Sequence, residues 1–198
     1  MRRPRPGFRA ELRHRFRRAC RRASHVELWA EDEHRLGLKP VLRRVWARRG
    51  VRPLARVRPR YEWLYLIGFV HPEEGRTSFW LVPRISAEIF AQVLAAFAEE
   101  QQLGRRRRIL LVLDRAGWHL AREVQPPKGL TLVFLPPYSP ELQPAERLWS
   151  LCDEPLANRT FETLAELESV LGERCRVLTD NQEQIRGHTL YHWWPRNK

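Results

Sequence analysis

The chain has 198 residues, a length that suits one domain of ordinary size. Hydrophobic residues make up 43% of it, enough for a packed core. No apolar run approaches the roughly 18–20 residues that a bilayer span requires, so we expect a cytoplasmic protein without a membrane partner. The cysteines Cys20, Cys152 and Cys175 lie far apart with no CxxC pair, which argues against a disulfide framework.

The charge balance points to a polyanionic partner. The net charge is +13 and the pI is about 11.0, which favours nucleic acid as that partner. Nearly all the basic residues are arginine, whose guanidinium group pairs bidentately with phosphate. Codon usage in a GC-rich genome would also favour arginine over lysine, but it explains the net charge less well.

Residues 1–24 form a basic leader, followed by a domain over 25–175 and a tail over 176–198. The first 22 residues hold ten arginines and one acid, Glu11. Pro4 and Pro6 predict an extended start, with helix from about Ala10 onward. A disordered tail that contacts nucleic acid and a solvated surface helix both fit this pattern.

The first strand is predicted over Val26–Glu33. Alternation places Val26, Leu28, Ala30 and Asp32 on one face of it. A carboxylate at the end of an apolar row is costly unless it is paired, protonated or bound to a metal. Glu27, Glu31 and Glu33 share the other face, where solvent is the expected partner.

The next elements follow in chain order. A connection over Gly37–Arg60 includes a strand-like piece at Arg43–Trp46. Strands at Tyr61–Val70 and Thr77–Pro83 flank a hairpin turn at His71–Gly75. Ser86 is the expected N-cap of an amphipathic helix that Gly104 ends.

The second half of the chain alternates strands and helices. The run Ile109–Leu113 is apolar without alternation, as in a central strand covered on both faces, and it ends at Asp114. A short helix at Leu120–Val124, a strand at Leu130–Leu135, a helix from near Pro144 and a helix at Thr160–Leu171 follow. The order β-β-β-α-β-α-β-α predicts an α/β fold with a mixed sheet flanked by helices.

Three acids occupy positions where α/β sheets place their functional sites. Asp32 and Asp114 end the first and fourth strands, and Glu146 opens a helix. If those two strands are neighbours, the aspartates lie side by side and repel each other unless a cation lies between them. Carboxylates without a Cys or His cluster suit Mg²⁺ or Mn²⁺. Two such ions about 3.5–4 Å apart can drive phosphodiester chemistry.

The loop before Glu146 is stiff. Prolines at positions 136, 137, 140 and 144 restrict its backbone, and Pro144 suits the first turn of a helix. Glu146 is then held on a rigid support, as a metal ligand should be. On position alone, Glu146 could equally serve only to complement the helix dipole.

These motifs resemble those of a known family. ILLVLDRAGWH (Ile109–His119) resembles the strand, second Asp and following turn of DDE transposases. FLPPYSPELQPAERLW (Phe134–Trp149) resembles the segment around their third acid. LWAEDEHRLGL (Leu28–Leu38) and RRVWARRG (Arg43–Gly50) with Pro53 resemble the first-acid segment and the loop after it. Together they resemble the bacterial insertion-sequence six-thirty group of the mariner superfamily over about residues 26–172.

The resemblance implies a ribonuclease H-like fold and a role in transposition. Matched residue by residue, Asp32, Asp114 and Glu146 take the catalytic, metal-binding positions. The implied activity is Mg²⁺-dependent cleavage of DNA at transposon ends and transfer of the strand into target DNA. The implied partners are double-stranded DNA and a second copy of the chain in a homodimer.

The chain also departs from this family. Arg115 and Gln143 stand where asparagine is usual, and only 31 residues separate Asp114 from Glu146, fewer than is typical of the group. The helix-turn-helix modules that normally precede the domain are missing, which suggests either a split or frameshifted gene with a separate N-terminal DNA-recognition polypeptide, or a decayed fragment.

Candidate DNA contacts follow from charge and from the resemblance. Arg43, Arg44, Arg48 and Arg49 form the internal basic cluster most expected to meet phosphate, with Arg115 and His119 as further candidates. The leading hypothesis is a transposase catalytic domain. The alternatives are a non-catalytic DNA-binding remnant of a transposase and another ribonuclease H-like nuclease.

Overall fold

The structure, a computed structural model, describes residues 6–51 and 60–196. Its strands are β1 (His25–Gly37), β2 (Trp63–His71), β3 (Arg76–Val82), β4 (Arg107–Leu113) and β5 (Leu130–Phe134). Its α-helices are α1 (Pro6–Cys20), α2 (Ala87–Glu100), α3 (Glu146–Cys152), α4 (Leu164–Asp180) and α5 (Gln182–Thr189), with 3₁₀ turns at Pro140–Leu142 and Glu154–Leu156. Pro4 and Pro53, named above, lie outside the described residues.

The five strands form one mixed sheet in the order β3-β2-β1-β4-β5. The hairpin strands β1, β2 and β3 pair antiparallel, whereas β1–β4 and β4–β5 pair parallel. The chain crosses over through α2 before β4, which places β4 parallel to β1, and it crosses over again through the turns at 114–129 before β5, which places β5 parallel to β4. This confirms the predicted α/β fold, the central position of Ile109–Leu113 and the neighbourhood of the first and fourth strands.

Apolar side chains cover both faces of the sheet. One cluster joins alternate residues of the central strands, such as Leu28, Leu66 and Leu110, to α1, α3, α4 and α5. The other joins the remaining residues of those strands, such as Trp29 and Leu111, to α2. β1 is therefore covered on both of its faces.

This double coverage corrects the expectation that one face of β1 meets solvent. Glu27 is 2% exposed and Glu31 is not exposed at all. Glu27 is compensated by Arg76 at 2.7 Å and Arg107 at 3.0 Å. The alternation in this strand separates two buried faces, and the acids are tolerated because each lies near a cation.

The basic leader and the tail both pack on the core. Pro6–Cys20 is a helix whose Phe8, Leu12 and Phe16 are buried, while arginines cover its outer side. The helix thus begins earlier than Ala10, and its outer side alone is solvated. At the other end of the chain, Trp193 and Trp194 belong to the same apolar cluster.

Other local predictions meet mixed outcomes. Ser86 caps α2 by accepting a 3.2 Å hydrogen bond from the Ile89 N–H, as predicted. Thr163 caps α4, so this helix begins at Leu164 and not at the predicted Thr160. Neither the strand-like piece at Arg43–Trp46 nor the helix at Leu120–Val124 is present; the first has no regular secondary structure and the second is mostly turns. Among the described residues, no helix combines the length and apolar composition needed to cross a bilayer.

Candidate active site

The three acids predicted from the sequence line one cleft, here called the acidic cleft, with a volume of about 420 Å³. Ala30 and Val112 are partners in the parallel register of β1 and β4, so Asp32 and Asp114 each stand two residues beyond a paired position. Glu146 reaches the cleft as the first residue of α3. The remaining lining residues are Arg115, Ala116, Leu135, Pro136, Pro137, Tyr138, Ser139, Pro140 and Gln143.

Asp32 is half-buried and held by an indole. Its Oδ2 accepts a 2.7 Å hydrogen bond from Nε1 of Trp149 on α3. Burial is the main cause that raises the pKa of Asp32 to about 7, and the charges of Glu33 and Glu146 add to it. The carboxylate is therefore oriented, and its ionised form is favoured by any cation in the cleft.

Asp114 is more exposed than Asp32, and one of its carboxylate oxygens accepts two hydrogen bonds. Its Oδ1 accepts hydrogen bonds from the backbone N–H of Ala116 at 2.8 Å and from Nδ1 of His119 at 2.9 Å. The hydrogen bond from His119 is the main cause that lowers the pKa of Asp114. Asp114 is thus the most readily ionised of the three acids.

Glu146 is exposed at the start of α3, and the preceding loop is anchored to β1. Gln143 donates a 2.8 Å hydrogen bond to the backbone carbonyl of Glu31, and its own side-chain oxygen accepts from the Ala145 N–H at 3.3 Å. Partial burial of its carboxyl group beside the cleft, followed by the charge of Asp114, raises the pKa of Glu146. The glutamine that departs from the usual asparagine therefore connects the third acid to the strand of the first.

The residues of the acidic cleft fit a divalent cation. They offer carboxylate oxygens, the ligands that Mg²⁺ and Mn²⁺ prefer. Burial, followed by the charges of neighbouring acids, raises the pKa values of Asp32 and Glu146, and a bound cation would offset both effects by favouring the ionised carboxylates. Asp32, Asp114 and Glu146 are the residues that would hold such an ion.

A second acidic group lies behind β1, on the face covered by α2. Ligand atoms of Glu31, Glu33 and His119 lie within 4.8 Å of one another. Both side-chain oxygens of Glu31 are buried without a hydrogen-bond partner among the described residues. Sequence reasoning missed this group because it assigned Glu31 and Glu33 to solvent. The signal that could have found it was the apolar Trp29 and the strongly apolar β4, which together indicate a strand covered on both faces.

The candidate DNA contacts separate into two classes. Arg43, Arg44, Arg48 and Arg49 are exposed on the irregular segment after β1, and Arg115 lines the acidic cleft. Arg43 is partly engaged, because it donates a 2.8 Å hydrogen bond to the Ser150 carbonyl. His119 is only 3% exposed and both ring nitrogens lie beside carboxylates, so its position does not fit the expected phosphate contact.

Comparison with known proteins gives a family match over most of the chain. The family model described as "DDE superfamily endonuclease" matches residues 27–168. A protein of Sinorhizobium fredii (strain NBRC 101917 / NGR234), named "Uncharacterized protein y4pE/y4sA", is 32% identical over 132 residues, which is 66% of this chain and 96% of that protein.

Solved structures with the same fold include Mos1 mariner transposase. The catalytic domain of that enzyme matches at a TM-score of 0.51 and 14% identity, covering 93% of this chain and 92% of that one. The Mos1 paired-end complex with Mn matches at a TM-score of 0.59 and 16% identity, covering 93% of this chain and 61% of that one. The chain thus spans less than two thirds of the longer Mos1 chain, and at these identities the likeness concerns the fold.

Proposed function

This chain belongs to the DDE superfamily endonucleases, and on that basis we propose that it is the catalytic domain of a DNA transposase. Its reaction is metal-dependent cleavage of DNA strands at the ends of an insertion sequence, followed by transfer of the freed strand into target DNA. The finer assignment, to the insertion-sequence six-thirty group of the mariner superfamily, rests on the PPYSPELQPAE segment at 136–146.

The observation that carries the proposal is the convergence of Asp32, Asp114 and Glu146 on the acidic cleft. They come from three separate elements, β1, the end of β4 and the start of α3. Their surroundings also differ, since the pKa is raised at Asp32 and Glu146 and lowered at Asp114. A cluster of this kind in a protein of net charge +13 suits a metal-dependent reaction on a polyanion.

The residues in and around the acidic cleft that carry the chemistry divide into metal ligands, a group that orients one ligand, and a phosphate contact. Asp32, Asp114 and Glu146 would hold Mg²⁺ or Mn²⁺, most simply as a pair of ions. When bound, such ions activate an attacking oxygen and stabilise the leaving oxygen of a phosphodiester. Trp149 orients Asp32, and the Arg115 guanidinium stands at the cleft where it can pair with a phosphate of the bound strand.

Double-stranded DNA is the partner that the surface charge supports. Arg44, Arg48 and Arg49 are exposed on the segment after β1, and arginines also cover the outer side of α1. We further propose that two copies of the chain act together as a homodimer, and that a separate N-terminal DNA-recognition polypeptide selects the transposon ends. Analytical ultracentrifugation with and without end DNA tests the first of these; a selection for bound end sequences tests the second.

The catalytic assignment is tested with Asp114→Asn in a plasmid-nicking assay with Mg²⁺ or Mn²⁺. This change should abolish nicking and leave DNA binding intact, because it removes charge from a metal ligand and not from the basic surface. The matched control is Asp180→Asn, the same chemical change at an exposed ion pair with Arg176 at the end of α4, which should nick at the wild-type rate.

Two other outcomes have different meanings. Equal nicking by Asp114→Asn and the wild type would exclude the assigned site and favour another nuclease centre. A wild-type chain that binds DNA and never cleaves it, whatever the metal, would favour the alternative of a non-catalytic DNA-binding remnant.

A further inference from the structure

The imidazole of His119 lies between the acidic cleft and the second acidic group behind β1. The side chain is 1% exposed. Its Nδ1 is 2.9 Å from Oδ1 of Asp114, and its Nε2 is 2.8 Å from Oε1 of Glu33. An ionised carboxylate only accepts hydrogen bonds, so both ring nitrogens must carry a proton to make these contacts. The ring is then a buried cation between two carboxylates.

Neighbouring groups hold this ring in one orientation. Trp118 donates a 2.6 Å hydrogen bond from Nε1 to the same Oε1 of Glu33, so the carboxylate behind the ring is itself fixed. Phe90 of α2 packs on the ring with centroids 4.4 Å apart. Oε2 of Glu31 is 3.7 Å from Nε2, which makes His119 the nearest countercharge for a fully buried acid. The ring therefore has little freedom to turn or to leave.

The geometry of the ring also bears on the group formed by Glu31, Glu33 and His119. A doubly protonated imidazole places a positive charge beside the carboxylates of Glu31 and Glu33. Both ring nitrogens already donate to carboxylates, so neither offers a lone pair to a metal.

The effect of the ring on Asp114 is geometric. Asp114 stands just beyond the end of β4 with a side chain that is 52% exposed, so neighbouring packing alone would leave its carboxylate free to rotate. The bonds from His119 and Ala116 both use Oδ1. Among the described residues no hydrogen bond to the other oxygen, Oδ2, is found, so that oxygen is available to a cation in the acidic cleft.

We propose that His119, anchored by Glu33, is a positioning residue that orients Asp114 for metal binding. The proposal rests on the proposed function, since it assumes that Asp114 is a metal ligand. Partners that orient a metal ligand in this way typically change metal affinity or activity by about 10–100-fold when they are removed. The residues that prepare the metal site then include Glu33, which lies on the face of β1 opposite the acidic cleft.

The test measures Mn²⁺ binding to the protein alone by titration calorimetry. His119→Gln should bind Mn²⁺ about 10–100-fold more weakly than the wild type, while its affinity for a DNA duplex in metal-free buffer stays unchanged. The matched control is Phe97→Leu, which removes packing from the same helix α2 at a ring that contacts Trp29 and Phe69 and not His119. It should lower the melting temperature and leave the Mn²⁺ affinity at the wild-type value.

Glu33→Gln is the second variant, because His119→Gln risks unfolding by leaving Glu31 without a countercharge. Glu33→Gln keeps an acceptor for Trp118 and the size of the side chain, yet it weakens the anchor of the ring. It should also weaken Mn²⁺ binding. Wild-type Mn²⁺ affinity in a folded Glu33→Gln or His119→Gln protein would overturn the proposal.

The proposed function fails in a different way. If the wild type binds no Mn²⁺, or if Asp32→Asn binds it as tightly as the wild type, the acidic cleft is not the metal site. A wild type that binds Mn²⁺ through Asp32, together with unaffected His119 and Glu33 variants, would reject the positioning role alone.

Discussion

Gly68 of β2 and Trp149 of α3 occupy adjoining space that leaves no room for a side chain at position 68. A Cβ added there would lie 2.8 Å from Cη2 of the indole. Gly68 is also the partner of Asp32 in the β1–β2 register. The glycine thus allows the indole to lie over the strand and reach the first acid of the cleft.

Gly68→Ala should therefore displace Trp149 and weaken the cleft without touching any acid. We expect slower nicking and weaker Mn²⁺ binding, because the donor to Asp32 moves away. A crystal structure of the variant checks the displacement directly. An indole found unmoved, still bonded to Asp32, would contradict this explanation of the glycine.

Trp149→Phe removes the donor and keeps most of the packing. We expect Mn²⁺ affinity or nicking to fall by about 10–100-fold, since Asp32 loses the group that orients it. The suitable control is Trp63→Phe, the same chemical change at the first residue of β2, where the side chain is 44% exposed. Equal losses in the two variants would indicate a general effect on folding.

Metal affinity should depend on pH through Asp32. With a pKa of about 7, Asp32 is protonated below that value and must lose the proton to bind a cation. Mn²⁺ affinity should thus rise with pH and level off above pH 7, with a limiting slope of about tenfold per unit below it. Calorimetry between pH 5.5 and about 8.5 would measure this. A flat profile would show that Asp32 does not titrate in that range or does not bind the metal.

The raised pKa of Asp32 also predicts how the stability of the metal-free protein depends on pH. An unfolded Asp has a pKa of about 3.9, so the folded chain holds the Asp32 proton more tightly than the unfolded one. The stabilising effect of that proton is present at low pH and is lost as the pH rises from about 3.9 to the folded value of about 7. Asp32→Asn should remove this part of the dependence in thermal melts.

The leader helix should contribute to stability as well as to charge. Leu12 is fully buried against the core, so Leu12→Ala should cost about 2–5 kcal/mol of unfolding free energy. Arg13→Ala, the neighbouring exposed residue, should change it little. Urea denaturation compares the two. A Leu12→Ala protein as stable as the wild type would mean that α1 does not pack as described.

DNA binding should weaken steeply with salt, because arginine–phosphate contacts release counterions. Replacing Arg44, Arg48 and Arg49 by Gln should reduce the slope of log affinity against log salt by about 0.9 for each phosphate that is no longer neutralised. Arg176→Gln is the control, since that side chain is engaged with Glu173 on α4. An unchanged slope in the triple variant would show that these three arginines do not contact DNA phosphates and that the DNA interface lies elsewhere on the protein.

Several features could be predicted from local sequence alone. Asp114 follows an unbroken apolar run, and Glu146 follows a proline-rich loop at a helix start, so both positions are marked by their immediate neighbours. The Ser86 cap and the hairpin at His71–Gly75 are equally local, because turn and cap chemistry depends on a few adjacent residues.

Other features depended on what packs against each element, which no local pattern records. The alternation in β1 separated two faces correctly, but only the position of α2 decided that Glu31 is buried and not solvated. The same holds for α1, in which the many arginines hid the pattern of its buried side. It holds also for His119, because its partner Asp114 follows β4 whereas its partner Glu33 lies in β1. Sequence thus determined which residues could do chemistry, whereas long-range packing decided their charge states and orientations, because burial and hydrogen-bond partners are properties of the assembled fold.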